Sequence, residues 1–327
     1  MITKKKLLSF LKFIISIALI WYIASKIDWN KAISNLENAN LFFIVLTFIL
    51  IFFERAQLTY KWNLLIRARG INTGFWRLFI INSIGAFWGL FLPSSIGSDV
   101  AKSYYLIKNN SEKSVSISSV LVDRILGILA LLLLSVVSLL MAGDLISQFN
   151  LKVFVFIFFL IFLFSVYFFQ LEKTYNILEK IFKKIGFKNI TEKILKLHSS
   201  VLEYKKHPKT LLVTFVLTVF VNITRVLIFY VISLAYSIPI PIIYFFIFVP
   251  ILTVVIMIPI SIGGLGVGEG AFITFFALVG VSINDSIVVV LTNTLTNTIF
   301  TVLGGIFILF EKSKQNNIKL DYKKIDN

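Results

Sequence analysis

The stretch Pro93–Gly97 reads PSSIG, and the stretch Pro259–Gly263 reads PISIG, about half of the 327-residue chain further on. Both fit the pattern Pro-x-Ser-Ile-Gly, and a carboxylate follows each copy, Asp99 and Glu269. Because proline and glycine interrupt helices, each copy predicts a broken helix with unpaired backbone N–H groups. Interrupted apolar segments at matching places in two halves of a chain are typical of the binding site of a transporter.

The composition predicts a membrane protein with several spans. Apolar residues make up 58% of the chain, phenylalanine occurs 34 times and the mean hydropathy is +0.91. The chain has no cysteine, which excludes disulfides, thiolate metal sites and cysteine nucleophiles. We expect no cofactor and no metal.

Hydropathy predicts full spans at residues 7–27, 41–61, 116–141, 151–170, 210–236 and 286–310, with broken apolar stretches at 75–97 and 241–281. Most lysines and arginines then lie at the N-terminus, after residue 310 and in the segments 61–77, 102–113 and 171–209. The positive-inside rule places both termini of this multi-pass membrane protein in the cytoplasm. The net charge of +16 is therefore explained by topology, and we expect no nucleic-acid partner.

The same charge map predicts an inverted repeat. Stretch 75–97 has basic flanks and should enter and leave on the inside, whereas 241–281 has uncharged or acidic flanks and should enter and leave on the outside. We expect an all-α bundle with two re-entrant hairpins; the rival interpretation makes both broken stretches true spans. The whole chain forms one membrane domain, with repeats at about 1–141 and 151–310, a cytoplasmic linker at 171–209 and a C-terminal tail at 311–327. The lone histidines of the linker, His198 and His207, are expected to be solvated.

Ionisable side chains inside spans are costly, by roughly 2.5–3.5 kcal/mol on insertion scales, and mark functional sites. Arg225 lies near the middle of its span, so we expect it to be buried against a carboxylate or a polar cluster, with Asp99 and Glu269 as the most economical partners. The neighbouring pairs Glu54–Arg55 and Asp123–Arg124 could instead be interfacial residues that snorkel to the inner surface, and for Glu54 this explanation is equally good. Lys102 is a further candidate of this kind.

The first motif continues into Ser98, Asp99 and Lys102, and the last two would share one face if a helix begins there. Exposed N–H groups at such a break could hold a phosphate, or Ser98 or Asp99 could simply cap the helix. The second motif continues into a glycine-rich run that includes Gly264 and Gly266. This run misses the spacing of nucleotide-binding loops and predicts an unwound turn instead.

The last span carries a polar stripe, because Asn293, Asn297 and Thr301 recur at every fourth position. Helix–helix hydrogen bonding and the lining of a hydrophilic path explain this stripe equally well.

Three segments, Leu92–Lys102, Val120–Gly127 and Pro259–Gly270, resemble the motifs of the lysylphosphatidylglycerol synthase membrane-domain family in the same order. Where that family usually has Arg before the Glu of the last motif, this chain has Gly268. The resemblance covers nearly the whole chain and implies a stand-alone flippase-like protein of a prokaryotic plasma membrane. It implies the lipid-translocating half without the soluble transferase domain.

We therefore expect a translocator that moves an anionic phospholipid or a polyprenyl-phosphate type headgroup between leaflets, and not an enzyme. The alternatives are an integral-membrane transferase acting on lipid headgroups, or a non-catalytic partner of a glycosyltransferase or lipid synthase. A homo-oligomer is compatible with the sequence. The expected helix-break residues are Pro93, Gly97, Pro259, Gly263, Gly264 and Gly266, and the expected substrate-binding residues are Ser98, Asp99, Lys102, Arg124, Arg225, Glu269, Asn293 and Asn297.

Overall fold

The computed structural model describes residues 39–91, 95–108, 112–141, 188–257 and 264–325, together with Ser261 and parts of 153–164. Within these ranges the ordered elements are helices and no strand occurs. They are α1 (Leu41–Ala68), α2 (Phe75–Gly89), α3 (Ser95–Ile107), α4 (Lys113–Met141), α5 (Lys188–Leu202), a 3₁₀ turn (Glu203–Lys206), α6 (Pro208–Ala235), α7 (Ile242–Met257), α8 (Val267–Ala277) and α9 (Ile283–Ile325).

Four of the helices are long and apolar enough to cross a membrane, which confirms the class of a polytopic helix bundle. They are α1, α4, α6 and the part of α9 from Ile283 to Ile308. These helices match the predicted spans 41–61, 116–141, 210–236 and 286–310. The predicted span 7–27 and most of 151–170 lie outside the described residues. Helix α1 continues past its predicted end at residue 61 to Ala68, and α9 continues to Ile325, through most of the predicted tail.

Both apolar stretches predicted to be broken are pairs of short helices. Helices α2, α3, α7 and α8 contain 15, 13, 16 and 11 residues. At about 1.5 Å per residue none reaches the roughly 30 Å of a bilayer core. Helix α2 packs on α3, and α7 packs on α8. Whether the two pairs are re-entrant stays a prediction.

The predicted helix breaks are partly correct. Gly264 and Gly266 both have φ of 79° in the turn before α8, a conformation that favours glycine. Gly97, in contrast, is buried inside α3, so its prediction as a break residue is wrong. One glycine inside a helix costs only about 1 kcal/mol relative to alanine, which packing can offset. Pro93, Pro259 and Gly263 lie outside the described residues.

Helices α1 and α6 pack along much of their length and run antiparallel. As the residue number increases along α1, the residue number of its partner in α6 decreases. The pairs are Asn40 with Ala235, Glu54 with Arg225, Gln57 with Thr224 and Lys61 with Thr218. The predicted repeat makes α1 the counterpart of α6. Antiparallel packing of these two helices is the arrangement that an inverted repeat requires.

The other helix contacts follow the same scheme. Helix α4 packs on α7, and α9 packs on α2. Under the predicted repeat α9 is the counterpart of α4 and α2 is the counterpart of α7, so these two contacts are equivalent. The contact of α9 with α2 is close, because a Cβ on Gly304 would lie 2.7 Å from the carbonyl oxygen of Ser83. The orientation of both repeats relative to the membrane remains a prediction.

Helix α5 and the following 3₁₀ turn are tied to the ends of α1 and α4. Ser118 and Ser200 share a hydrogen bond of 2.9 Å, and Arg69 donates to the carbonyl oxygen of Ser200 at 2.5 Å and pairs with Glu203. Tyr204 donates to the carbonyl oxygen of Leu65, and burial raises the pKa of its phenol, which keeps it a donor. His198 is also buried, so the prediction that it is solvated is wrong. Residues 171–187 of the linker lie outside the described residues.

Candidate functional site

A cavity of about 370 Å³ opens between the helices at the level of the broken segments. Helices α1, α2, α3, α4, α6, α7 and α9 all contribute to its lining. The volume falls within the roughly 300–1,000 Å³ typical of small-molecule sites. Its polar lining residues are Glu54, Arg55, Lys61, Asn82, Ser98, Lys102, Asp123, Arg124, Thr218, Asn222, Arg225, Thr253, Asn293 and Asn297.

Arg225 of α6 pairs with Glu54 of α1. Its Nη2 and Nε atoms lie 2.6 and 3.0 Å from the same carboxylate oxygen, and the carboxylate side chain is only 7% exposed. The prediction that Arg225 pairs with a carboxylate is confirmed, although its side chain is only partly buried, with 26% exposed. The favoured partners Asp99 and Glu269 are wrong. Glu54 is the partner because it lies on the antiparallel neighbouring helix α1, opposite Arg225.

Asp99 of α3 pairs with Arg124 of α4. The Arg124 Nε and Nη2 atoms lie 2.6 and 2.9 Å from its two carboxylate oxygens, a two-point geometry. The Lys102 Nζ atom is 3.7 Å from the same carboxylate. Because α3 begins at Ser95, Ser98 and Asp99 lie inside the helix and do not cap it.

A third ion pair joins Lys61 to Asp123 at 2.8 Å. Lys61 is 3% exposed and also donates to Thr218 at 3.4 Å. Lys61 is the last residue of the predicted span 41–61, and α1 continues beyond it to Ala68. Asp123 precedes Arg124 in the chain, so α4 contacts α1 through one residue and α3 through the next.

The polar stripe of α9 makes hydrogen bonds to another helix and also lines the cavity. Asn293 and Asn297 line the cavity, and Arg55 of α1 donates to Asn297 at 3.3 Å and to Thr301 at 3.5 Å. The stripe therefore bonds α9 to α1 while it supplies polar surface to the cavity.

Glu269 lies in a smaller adjoining cavity of about 180 Å³, which shares Phe229, Leu252, Ile256, Asn293 and Asn297 with the larger one. One carboxylate oxygen of Glu269 accepts from the backbone N–H of Gly266 at 2.7 Å, and the other accepts from the Thr294 hydroxyl at 2.8 Å. Glu269 thus holds the first turn of α8, and the structure separates it from the cationic residues.

Cations outnumber carboxylates at the larger cavity. Three carboxylates, Glu54, Asp99 and Asp123, pair with or flank five cationic side chains, so the described residues leave an excess of two positive charges. The cationic residues are Arg55, Lys61, Lys102, Arg124 and Arg225. Such a cavity is suited to an anionic group, since an uncompensated positive charge away from water strongly favours a counter-charge.

The structure brings most of the predicted site residues together. Ser98, Lys102, Arg124, Arg225, Asn293 and Asn297 line the cavity, and Asp99 pairs with two of its cations. Five further cavity residues were not among the predicted site residues: Glu54, Arg55, Lys61, Asp123 and Asn222. Glu54, Arg55 and Asp123 could have been recognised as ionisable residues near spans, and Asn222 lies one helical turn from Arg225. The sequence contains no comparable indication for Lys61.

Comparison with known proteins identifies the family. The family model described as the lysylphosphatidylglycerol synthase TM region matches residues 9–305. The chain belongs to this family. The resemblance of the three motifs is thereby confirmed, and the family is a membrane-protein domain.

A curated relative is the UPF0104 membrane protein of Methanocaldococcus jannaschii, which is 29% identical over 127 residues. That alignment covers 38% of this chain and 37% of the relative, so the match spans little more than a third of either protein. No solved structure matches the chain. Among the described residues, no group of three histidine or acidic side chains is arranged to hold a metal ion.

Proposed function

We propose that this protein translocates an anionic lipid, or a lipid-linked phosphate headgroup, between the leaflets of a prokaryotic plasma membrane. The observation that supports the proposal most directly is the positive excess in a cavity enclosed by membrane helices. A headgroup crossing a bilayer must exchange water for polar partners, since an unpartnered charge in hydrocarbon is costly. The cavity offers such partners.

The ion pairs explain how such a cavity can exist without a ligand. Each of Glu54, Asp99 and Asp123 neutralises a cation from a different helix, which limits the cost of the buried charges. An entering phosphate would compete with these carboxylates for the same guanidinium and ammonium groups. The carboxylates would then restore the pairs on release, which keeps binding reversible.

The proposed step makes and breaks no covalent bond. Four of the five cations at the cavity pair with a carboxylate, an arrangement suited to holding charge. The family description refers to a lipid synthase, and a lipid synthase or glycosyltransferase that acts on the translocated lipid is the kind of partner we propose.

Reconstitution tests the proposal. The purified protein in phosphatidylcholine liposomes should accelerate leaflet exchange of a trace of fluorescent phosphatidylglycerol or polyprenyl phosphate, measured by quenching of the outer leaflet. Protein-free liposomes give the background rate. Mass spectrometry of the recovered lipid should find it unchanged. A chemically altered lipid would make the protein an enzyme, and absence of both exchange and alteration would favour a non-catalytic partner.

A further inference from the structure

Arg55 differs from the other cations of the cavity. Lys61, Lys102, Arg124 and Arg225 each have a carboxylate within 4 Å. Arg55 has none among the described residues; its guanidinium reaches only two neutral oxygens, at the long distances of 3.3 and 3.5 Å. Its charge is therefore the least compensated in the cavity lining.

Asn222 adds a buried donor without a partner. The residue is 4% exposed and lines the cavity, and its side-chain Nδ2 makes no hydrogen bond to any other residue that the structure describes. Its Oδ1 accepts from Arg225 Nη1 at 3.4 Å. Since a guanidinium can only donate, this contact fixes the orientation of the amide and leaves the N–H₂ group without an acceptor.

The fold places these two residues at matching points. Each is the fifteenth residue of its helix, Arg55 in α1 from Leu41 and Asn222 in α6 from Pro208. The two helices are antiparallel neighbours, and the Glu54–Arg225 pair connects them at this level. That pair thus positions both donors on one cavity.

We infer that Arg55 and the Asn222 amide together form the seat for a phosphate oxygen of the translocated headgroup. This inference rests on the proposed function for the lipid itself, but the chemistry of the seat stands apart from it. A guanidinium and an amide N–H₂ are donors that suit a phosphate group, and a buried unpaired donor gains most from an acceptor. Lys102, whose carboxylate is already held by Arg124, supplies further positive charge nearby.

Binding to the purified protein in neutral detergent tests the seat without requiring transport. The probes are fluorescent phosphatidylglycerol and fluorescent diacylglycerol, which lacks the phosphate. The wild type should bind the first more tightly. Arg55→Gln should weaken its binding by about tenfold or more, because a charge-assisted hydrogen bond is lost. Arg55→Lys, which keeps the charge, should recover part of that loss.

Asn222→Asp is the sharper variant, since it is isosteric and keeps an oxygen for Arg225. It replaces the free donor by an acceptor, and should weaken binding of phosphatidylglycerol several-fold without affecting diacylglycerol. Arg67→Gln is the matched control, because Arg67 is an exposed cation on the same helix α1. It should bind like the wild type. Thermal unfolding of each variant establishes whether it is folded. If Arg55→Gln does not fold, binding by Asn222→Asp alone tests the seat.

The outcomes separate the two proposals. Equal binding of both lipids by the wild type, or unchanged binding by Arg55→Gln and Asn222→Asp, overturns the seat. Selective binding without leaflet exchange supports the seat and contradicts the proposed function. Competition by millimolar inorganic phosphate that depends on Arg55 would show that phosphate alone is recognised; binding of the lipid without such competition would show that the seat needs the lipid.

Discussion

Arg124 of α4 holds Asp99 of α3 through two hydrogen bonds, and 25 residues separate the two in the chain. The same separation joins Thr294 of α9 to Glu269 of α8. Under the predicted repeat α8 and α9 are the counterparts of α3 and α4, so both halves link the second arm of the broken segment to the following span. The first half does so with an ion pair, and the second with a carboxylate that accepts from a neutral hydroxyl.

Asp99→Asn should slow leaflet exchange of phosphatidylglycerol about tenfold. The substitution frees Arg124 and Lys102 from their carboxylate, so the headgroup is held more tightly and released more slowly. Binding in detergent and exchange in liposomes, measured on the same preparation, should move in opposite directions. Asp285→Asn, which alters an exposed carboxylate bonded to Ser282, is the control. Unchanged or faster exchange by Asp99→Asn contradicts this account.

Glu54→Gln should destabilise the protein, because it leaves the Arg225 guanidinium without its carboxylate. Removing one partner of a buried ion pair costs about 3–5 kcal/mol, and the 26% exposure of Arg225 reduces this figure. Thermal unfolding in detergent measures the loss. The double variant Glu54→Gln/Arg225→Gln removes the unpaired charge and should recover stability. If the double variant is as unstable as the sum of the single variants, the pair is not coupled.

Gly304→Ala should lower stability although alanine favours helices more than glycine does. Its added Cβ would lie 2.7 Å from the backbone oxygen of Ser83, which a packed helix cannot easily move. Gly127→Ala is the matched control: it is also inside a long helix, but nothing lies within 4 Å of its added Cβ. We expect the control to gain up to about 1 kcal/mol from helix propensity. Opposite signs in the two melting-temperature shifts are the expected result.

Much of the fold could be predicted because it depends on features local in the chain. Apolar length predicted the long helices, and the recurrence of proline and glycine predicted where α2 and α7 end. Helix α1 extends seven residues beyond the predicted end of its span at residue 61. The contact that holds Lys61 inside the bundle, its ion pair with Asp123, joins two distant parts of the chain and could not be predicted from the apolar length.

The partners within the site could not be predicted from spacing. Four carboxylates were near enough to a span to pair with Arg225, and their membership in the broken segments, which favoured Asp99 and Glu269, did not identify the partner. The choice of Glu54 depends on the antiparallel register of α1 and α6, which is set by packing along both helices. The same register brings Arg55 and Asn222 to one cavity, so the phosphate seat is a property of the tertiary structure.

The orientation in the membrane gives the last prediction. Most lysines and arginines outside the spans lie in the segments assigned to the cytoplasm, so both termini and residues 171–209 should face inside. Because the chain has no cysteine, single cysteines can be introduced at Asp144 and Lys188 and labelled in intact cells with a membrane-impermeant maleimide. Asp144→Cys should react from outside. Lys188→Cys should react only after the membrane is opened, and labelling of both from the same side would contradict the charge map and the inverted repeat that follows from it.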